Sequence, residues 1–263
     1  PAAGKKTGLE VFDAEGRPRG RARAAVTLKP LGQGALSLRE KWPGAPGRFR
    51  GLERRLRGAV ELSLHKQGLR VVNVIDLESY THGVLSAEMP VDSPMEALKA
   101  QAVLARTHAL YMRAGTSRHK GDGYELCDGQ HCQVYSGMRA ESPRSRAVVE
   151  GTRGRIVTYA GRPTNVLYSA NCGGHAQGAG EITGWGSLPY FVGRPDAPAE
   201  AGSPWSPWEL RQWLRTSPPA FCAGSAYTHP AHYRWARVIG AAELESRLDR
   251  SLGVGRLQWL QPL

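Results

Sequence analysis

No apolar run in this 263-residue chain approaches the roughly eighteen residues that a bilayer-spanning helix needs. Cysteine is scarce, with four residues at 127, 132, 172 and 222, and two of them inside one six-residue window beside a histidine suggest a metal more than a disulfide ladder; the 41% hydrophobic fraction can build a core without disulfides. Acidic charge is also short. Lys and Arg number 35 against 23 Asp and Glu, giving a net charge of +12 and a pI near 9.9, and such a field draws the chain toward a polyanion. Aromatic residues make up 8% of the chain and are not interleaved with basic residues in an arm, so nucleic acid is not the expected partner. There is no His-Glu-x-x-His, no Gly-x-Ser-x-Gly and no Gly-x-x-x-x-Gly-Lys, which removes zincin proteases, elbow-type serine hydrolases and P-loop enzymes. Neither an internal repeat nor a low-complexity tract occurs. The chain opens at Pro1 without a charged and apolar leader, which leaves a trimmed signal or anchor open.

What is there begins with short strands. Runs at 9–12, 24–28, 35–38, 59–64 and 69–75 are separated by Gly/Pro/Arg-rich joints, so residues 1–66 read as a β-rich lobe or extension and 67–263 as the region bearing the chemistry. Asp76 is placed to cap a short helix carrying Leu77, Tyr80, Val84 and Leu85 and ending near Glu88, with Pro90 just beyond. A longer helix is predicted from about 94 to 112. Ser93 and Glu96 have capping-box spacing, Pro94 suits the first helical position, and Met95, Leu98, Ala102, Ala105, Ala109 and Met112 form an apolar stripe. Beyond it come a Cys/His knot, a basic loop around 141–146, strands near 155–159 and 165–170, a glycine-dense segment at 172–186, a linker-like stretch at 195–207, and helices near 207–215 and 241–248. The expected fold is α+β, a β-rich N-terminal portion joined to a mixed helix/strand core, with a substrate cleft between lobes.

Among carboxylates Glu88 stands out, because it ends an apolar helix just before a proline, a setting that suits a general acid; an ordinary helix-end glutamate is the plain alternative. Lys99 and Arg106 lie seven residues apart, about 10 Å along a helix. They are either solvated charges or a cationic pair facing a groove, where Gln101 adds neutral donors and acceptors for a sugar polymer. His119, Cys127, His131 and Cys132 supply two thiolates and two imidazoles, a set that suits tetrahedral zinc, although the adjacent His131-Cys132 pair leaves a buried thiol pair or a Cys127–Cys132 disulfide open. Four protein ligands would close such a site and make it structural. The segment 168–175, Tyr-Ser-Ala-Asn-Cys-Gly-Gly-His, reads as a cleft wall or as a glycine-rich turn around a packed Cys172, which could also pair with Cys222.

Taken together, Asp76-Leu77-Glu78-Ser79-Tyr80, Gly83-Val84, Ala87-Glu88-Met89-Pro90, Glu96-Ala97-Leu98-Lys99-Ala100-Gln101-Ala102 and Ala105-Arg106-Thr107 resemble the sporulation protein D and LytB (SpoIID/LytB) family. The likeness continues through His131-Cys132-Gln133-Val134-Tyr135-Ser136-Gly137, Cys172-Gly173-Gly174, Gly184-Trp185 and Pro189-Tyr190, covering roughly residues 70 to 195. Ala176 departs from the family pattern, as does Val192-Gly193-Arg194 after Pro189-Tyr190-Phe191. The resemblance implies a secreted or envelope protein that cleaves peptidoglycan glycan strands as a lytic transglycosylase, or that modifies a wall amidase. It implies Glu88 as the catalytic acid, functional cations at Lys99 and Arg106, and zinc held by His119, Cys127, His131 and Cys132. Tyr80, Gln101, Ser169, Asn171 and His175 are the further residues expected on the substrate side. Peptidoglycan, and an amidase as a second partner, are the expected partners; no organic cofactor is expected.

Overall fold

The computed structural model describes residues 8–256 apart from 14, 33, 41–51, 66–67, 117, 140, 183, 185, 199–205, 228 and 254. Trp185 and the middle of the expected linker thus lie outside the described residues. The chain divides into two compact units, Pro1–Leu167 and Tyr168–Leu263.

The first unit opens with β1 (Leu9–Phe12) and β2 (Pro18–Ala22), an antiparallel hairpin. Next come β3 (Ala25–Leu28), β4 (Leu36–Glu40), β5 (Leu52–Leu56), β6 (Ala59–His65) and β7 (Gly68–Val74). β4 pairs with β5, and a three-stranded antiparallel sheet runs in the order β3-β6-β7. The stretch 1–66, read as a β-rich lobe, shares this unit with three helices, α1 (Leu77–Glu88), α2 (Met95–Tyr111) and α3 (Pro143–Gly151). Alternation explains the arrangement: Val60 on β6 and Leu56 on β5 point inward onto Tyr80, Val84, Ala105, Ala109 and Tyr135, so the strands and two helices close one core. A second cluster, Leu85, Leu98, Ala102, Val148 and Val149, lies where the three helices meet. The alanines of α2 let these axes approach closely. Two short hairpin strands, β8 (Thr158–Tyr159) and β9 (Arg162–Pro163), complete this unit.

The second unit holds β10 (His175–Ala176) paired with β11 (Arg194–Pro195), α4 (Pro207–Arg215) and α5 (Ala241–Leu252). The fold is α+β, as expected. Asp76 caps α1, accepting from the Ser79 amide at 2.9 Å, and the stripe on α2 is buried from Leu98 to Met112. Four expectations are corrected. Ser93 makes no cap: α2 starts at Met95 after an uncapped Pro94, because Ser93 is buried in a turn closed by its own amide on Pro90. The loop expected at 141–146 contains the start of α3, where Ser142 and Ser145 form a capping box around Pro143; its apolar side is only Val148 and Val149, too little for periodicity to announce. The strand expected at 155–159 shrinks to Thr158–Tyr159, and no strand forms at 165–170.

Candidate functional site

Glu88 is the last residue of α1, and Met89 leaves the helix in an extended conformation. Its half-buried carboxylate accepts one hydrogen bond, from the Val134 amide to Oε1 at 2.6 Å; among the described residues nothing donates to Oε2 and no cation pairs with it. Val134 sits in an irregular strap, residues 131–137, whose alternate side chains anchor it. Gln133 is buried, donating from Nε2 to the Tyr80 hydroxyl (3.1 Å) and to the Ala105 carbonyl (3.3 Å). Tyr135 stacks on Tyr80 with centroids 5.3 Å apart and donates to Asn73 Oδ1 at 2.6 Å. Gly83 makes room for this ring: a Cβ there would lie 2.4 Å from Tyr135 Cε2. With Gln133 and Tyr135 turned inward, the Val134 amide is left facing the end of α1.

The same strap begins at the Cys/His knot. The ligand atoms of His119, Cys127, His131 and Cys132 all lie within 4.8 Å of one another. His131 Nδ1 is 3.3 Å from His119 Nε2, 3.7 Å from Cys127 Sγ and 3.9 Å from Cys132 Sγ. Ligands about 2.0–2.3 Å from a tetrahedral centre stand roughly 3.3–3.8 Å apart, so this donor set fits a zinc-sized ion. His119 Nδ1 meets Asp122 Oδ2 at 3.1 Å, which leaves Nε2 facing the cluster. Burial would push the Cys127 thiol up, but hydrogen bonds from the Gly129 backbone, His131, Cys132 and His119 outweigh it and bring it down to about 6. Asp122 and Gln133 were given no role from the sequence alone; a carboxylate three residues from a ligand histidine is the local signal for the first.

The expected cationic pair is not brought together in a groove. Arg106 is 0% exposed. Its Nε bonds both oxygens of Glu78 (2.9 and 3.0 Å), Nη2 donates to the Val149 carbonyl and Thr152 Oγ1, and Nη1 reaches the carbonyls of Ala102 and Arg155. Glu78 Oε1 also accepts from the Gly154 amide at 3.1 Å. Arg106 therefore ties α1, α2 and the end of α3, which helical spacing could not reveal. Lys99 does keep an exposed side chain, 39% accessible and 2.7 Å from Glu96. Tyr80 and Gln101 are buried, at 9% and 7% exposure. Ser169, Asn171 and His175 belong to the second unit. Ser169 is exposed, His175 lies in β10, and Asn171 spends its side-chain amide within the second unit, accepting from Gly173 N at 2.8 Å and donating to the Cys222 carbonyl at 3.3 Å.

An α+β protein with a helix-end glutamate fixed by a strap that hangs from a Cys2His2 knot defines a narrow class. Residues 65–159 match the family described as stage II sporulation protein, SpoIID. An uncharacterised protein of Brachyspira hyodysenteriae is 38% identical over 123 residues, 47% of this chain and 33% of that one. Stage II sporulation protein D of Bacillus amyloliquefaciens is 31% identical over 181 residues, 64% of this chain and 50% of its own length. The protein named amidase enhancer of Bacillus subtilis is 35% identical over 115 residues, 43% of this chain and 15% of its own. The chain thus spans half or less of the length of these three relatives, and its similarity to the SpoIID family is carried by residues 65–159.

Proposed function

We propose that this protein acts on the bacterial cell wall outside the cytoplasm, cleaving peptidoglycan glycan strands between MurNAc and GlcNAc by a lytic transglycosylase mechanism with Glu88 as the single acid and base. The observation that carries this reading is the Glu88 carboxylate: one oxygen is oriented by the Val134 amide, and the other is free of any partner among the described residues. Most glycoside hydrolases need two carboxylates flanking the bond. One suffices where the substrate supplies the nucleophile. Glu88 protonates the glycosidic oxygen as the bond to C1 breaks, the muramic C6 hydroxyl attacks C1, and its proton passes to the Glu88 carboxylate, restoring the acid and leaving a 1,6-anhydro product. Lys99 is the exposed cation of α2 left to hold an anionic strand. Buried Tyr80, Gln101 and Arg106 act by positioning.

His119, Cys127, His131 and Cys132 would hold a structural zinc. With four protein ligands it supplies cross-linking rather than an activated water, and its consequence for chemistry runs through the strap: Cys132 is two residues from Val134, the donor that orients Glu88.

Glu88→Gln keeps the Val134 hydrogen bond and removes the proton donor, so release of anhydro-muropeptides from purified strands should vanish while circular dichroism stays unchanged. Turnover retained in that variant would remove Glu88 from the mechanism. The relative named amidase enhancer supports a second reading, a wall-binding module that recruits or activates an N-acetylmuramoyl-L-alanine amidase without cutting glycan. Mass spectrometry of strands after incubation separates the two, since only the enzyme shortens them.

A further inference from the structure

The second unit carries a side-chain cluster that plays no part in the Glu88 reading. Three segments are knitted together there by backbone hydrogen bonds. β10 pairs with β11, His175 opposite Pro195; beside that ladder the Asp196 amide donates to the Gly174 carbonyl at 3.0 Å, and the Phe221 amide donates to the Asp196 carbonyl at 2.9 Å. Left-handed backbone at Gly173 and Gly174, φ 70° and 97°, turns the chain sharply after Cys172. The outcome is a convergence of three half-buried groups: Cys172 Sγ lies 3.5 Å from Cys222 Sγ and 3.2 Å from Asp196 Oδ2, and all three ligand atoms lie within 4.8 Å of one another.

We propose that Cys172, Asp196 and Cys222 form a second metal site, for a thiophilic divalent cation such as zinc, with three protein ligands and a fourth position for solvent. The spacing suits it, because sulfur and oxygen ligands about 2.0–2.3 Å from a tetrahedral ion stand roughly 3.3–3.8 Å apart. Two soft thiolates select zinc over magnesium or calcium. Asp196 distinguishes this reading from a simple thiol pair. Among the described residues its carboxylate makes no ion pair and receives only the Cys172 thiol, a weak donor. A Cys172–Cys222 disulfide would remove even that donor and leave the Asp196 carboxylate with no protein partner among the described residues, whereas a cation answers all three groups at once. Arg234, which reaches the Gly173 carbonyl next to Cys172, is otherwise engaged: it donates to the carbonyls of Thr216, Gly173, Tyr233 and Trp213 and stacks on Trp213 with 4.2 Å to the ring centroid. It braces the glycine turn. The three ligands come from separate stretches of chain, 24 and 50 residues from Cys172, which is why no spacing motif marks them.

The test uses the full chain purified without chelator, with zinc counted by elemental analysis and by non-denaturing mass spectrometry. About two zinc ions per chain are expected, one of them lost in Cys172→Ser/Cys222→Ser and the other in Cys127→Ser/Cys132→Ser, each with helix content checked by circular dichroism. Asp196→Asn keeps both thiols and should weaken binding of the second equivalent about 10- to 100-fold, measured by competition with a chromophoric chelator. Cobalt(II) replacement should give a thiolate charge-transfer band that falls by about half in either double-serine variant. The proposal is overturned if Cys172 and Cys222 of zinc-loaded wild type alkylate as freely as in the chelated protein, or if intact mass reports them as a disulfide. A second equivalent that survives loss of both thiols overturns it equally. None of these outcomes depends on glycan cleavage, so this site and the Glu88 mechanism stand or fall separately.

Discussion

Gly83 and Arg106 each have a fixed consequence at the scale of one side chain. A methyl group at 83 would sit 2.4 Å from the Tyr135 ring and 2.9 Å from the Gly137 carbonyl, and the ring is already held by Tyr80 and Asn73. Gly83→Ala should therefore cost about 1–3 kcal/mol despite the better helix propensity of alanine, read as a lower urea midpoint. Because the displaced ring shares its strap with Val134, the same variant should also lower glycan cleavage beyond its loss of stability. Arg106→Met removes the charged partner of a nearly buried Glu78 carboxylate and the donors that reach the Val149 and Arg155 carbonyls, so a loss of about 3–5 kcal/mol is expected in denaturant titration. If Arg106 held substrate instead, the variant would fold normally and show a raised KM alone. Lys99, exposed and bonded only to Glu96 one turn away, has the opposite signature: Lys99→Ala should leave stability within about 0.5 kcal/mol and weaken strand binding.

Among the elements, the strap at 131–137 joins the Cys/His knot to Glu88. Its backbone forms no sheet, and its place is set by Gln133 under Tyr80, by Tyr135 over Asn73 and by the candidate ligands at its head. If the knot holds the proposed zinc, a chelator should raise hydrogen exchange at the Val134 amide, lower Tm and reduce cleavage while helix α2 stays protected. Equal loss of protection across α1, α2 and the strap would instead mark the knot as a global staple. A further brace ties the strand region to a loop, where Arg57 Nη2 donates to Glu141 Oε2 at 2.7 Å.

For the whole molecule, charge and protonation set the working conditions. Residues 168–263 hold eight arginines, no lysine and seven acidic residues, so nearly all of the +12 charge rests on residues 1–167, and binding to an anionic wall polymer should weaken as salt rises. Burial holds His82 and His108 below their ordinary value near 6.5. The unfolded chain therefore binds more protons than the native one as pH falls below about 6.5, so stability present above that pH is lost on acidification. The urea midpoint should drop between pH 7.5 and 5.5, and His108→Gln should flatten that drop. By itself, the sequence determined the α+β class, the capped helix ending at Glu88, the alanine stripe of α2 and the four candidate ligands of the knot, because helical period, capping chemistry and ligand type are local properties. Only the tertiary structure decided that Arg106 is a buried brace, that the Val134 amide donates to Glu88, and that Asp196 meets Cys172 and Cys222. Those facts depend on which distant segments the packed core and the backbone hydrogen bonds bring to within a few ångströms, and no spacing along the chain encodes that.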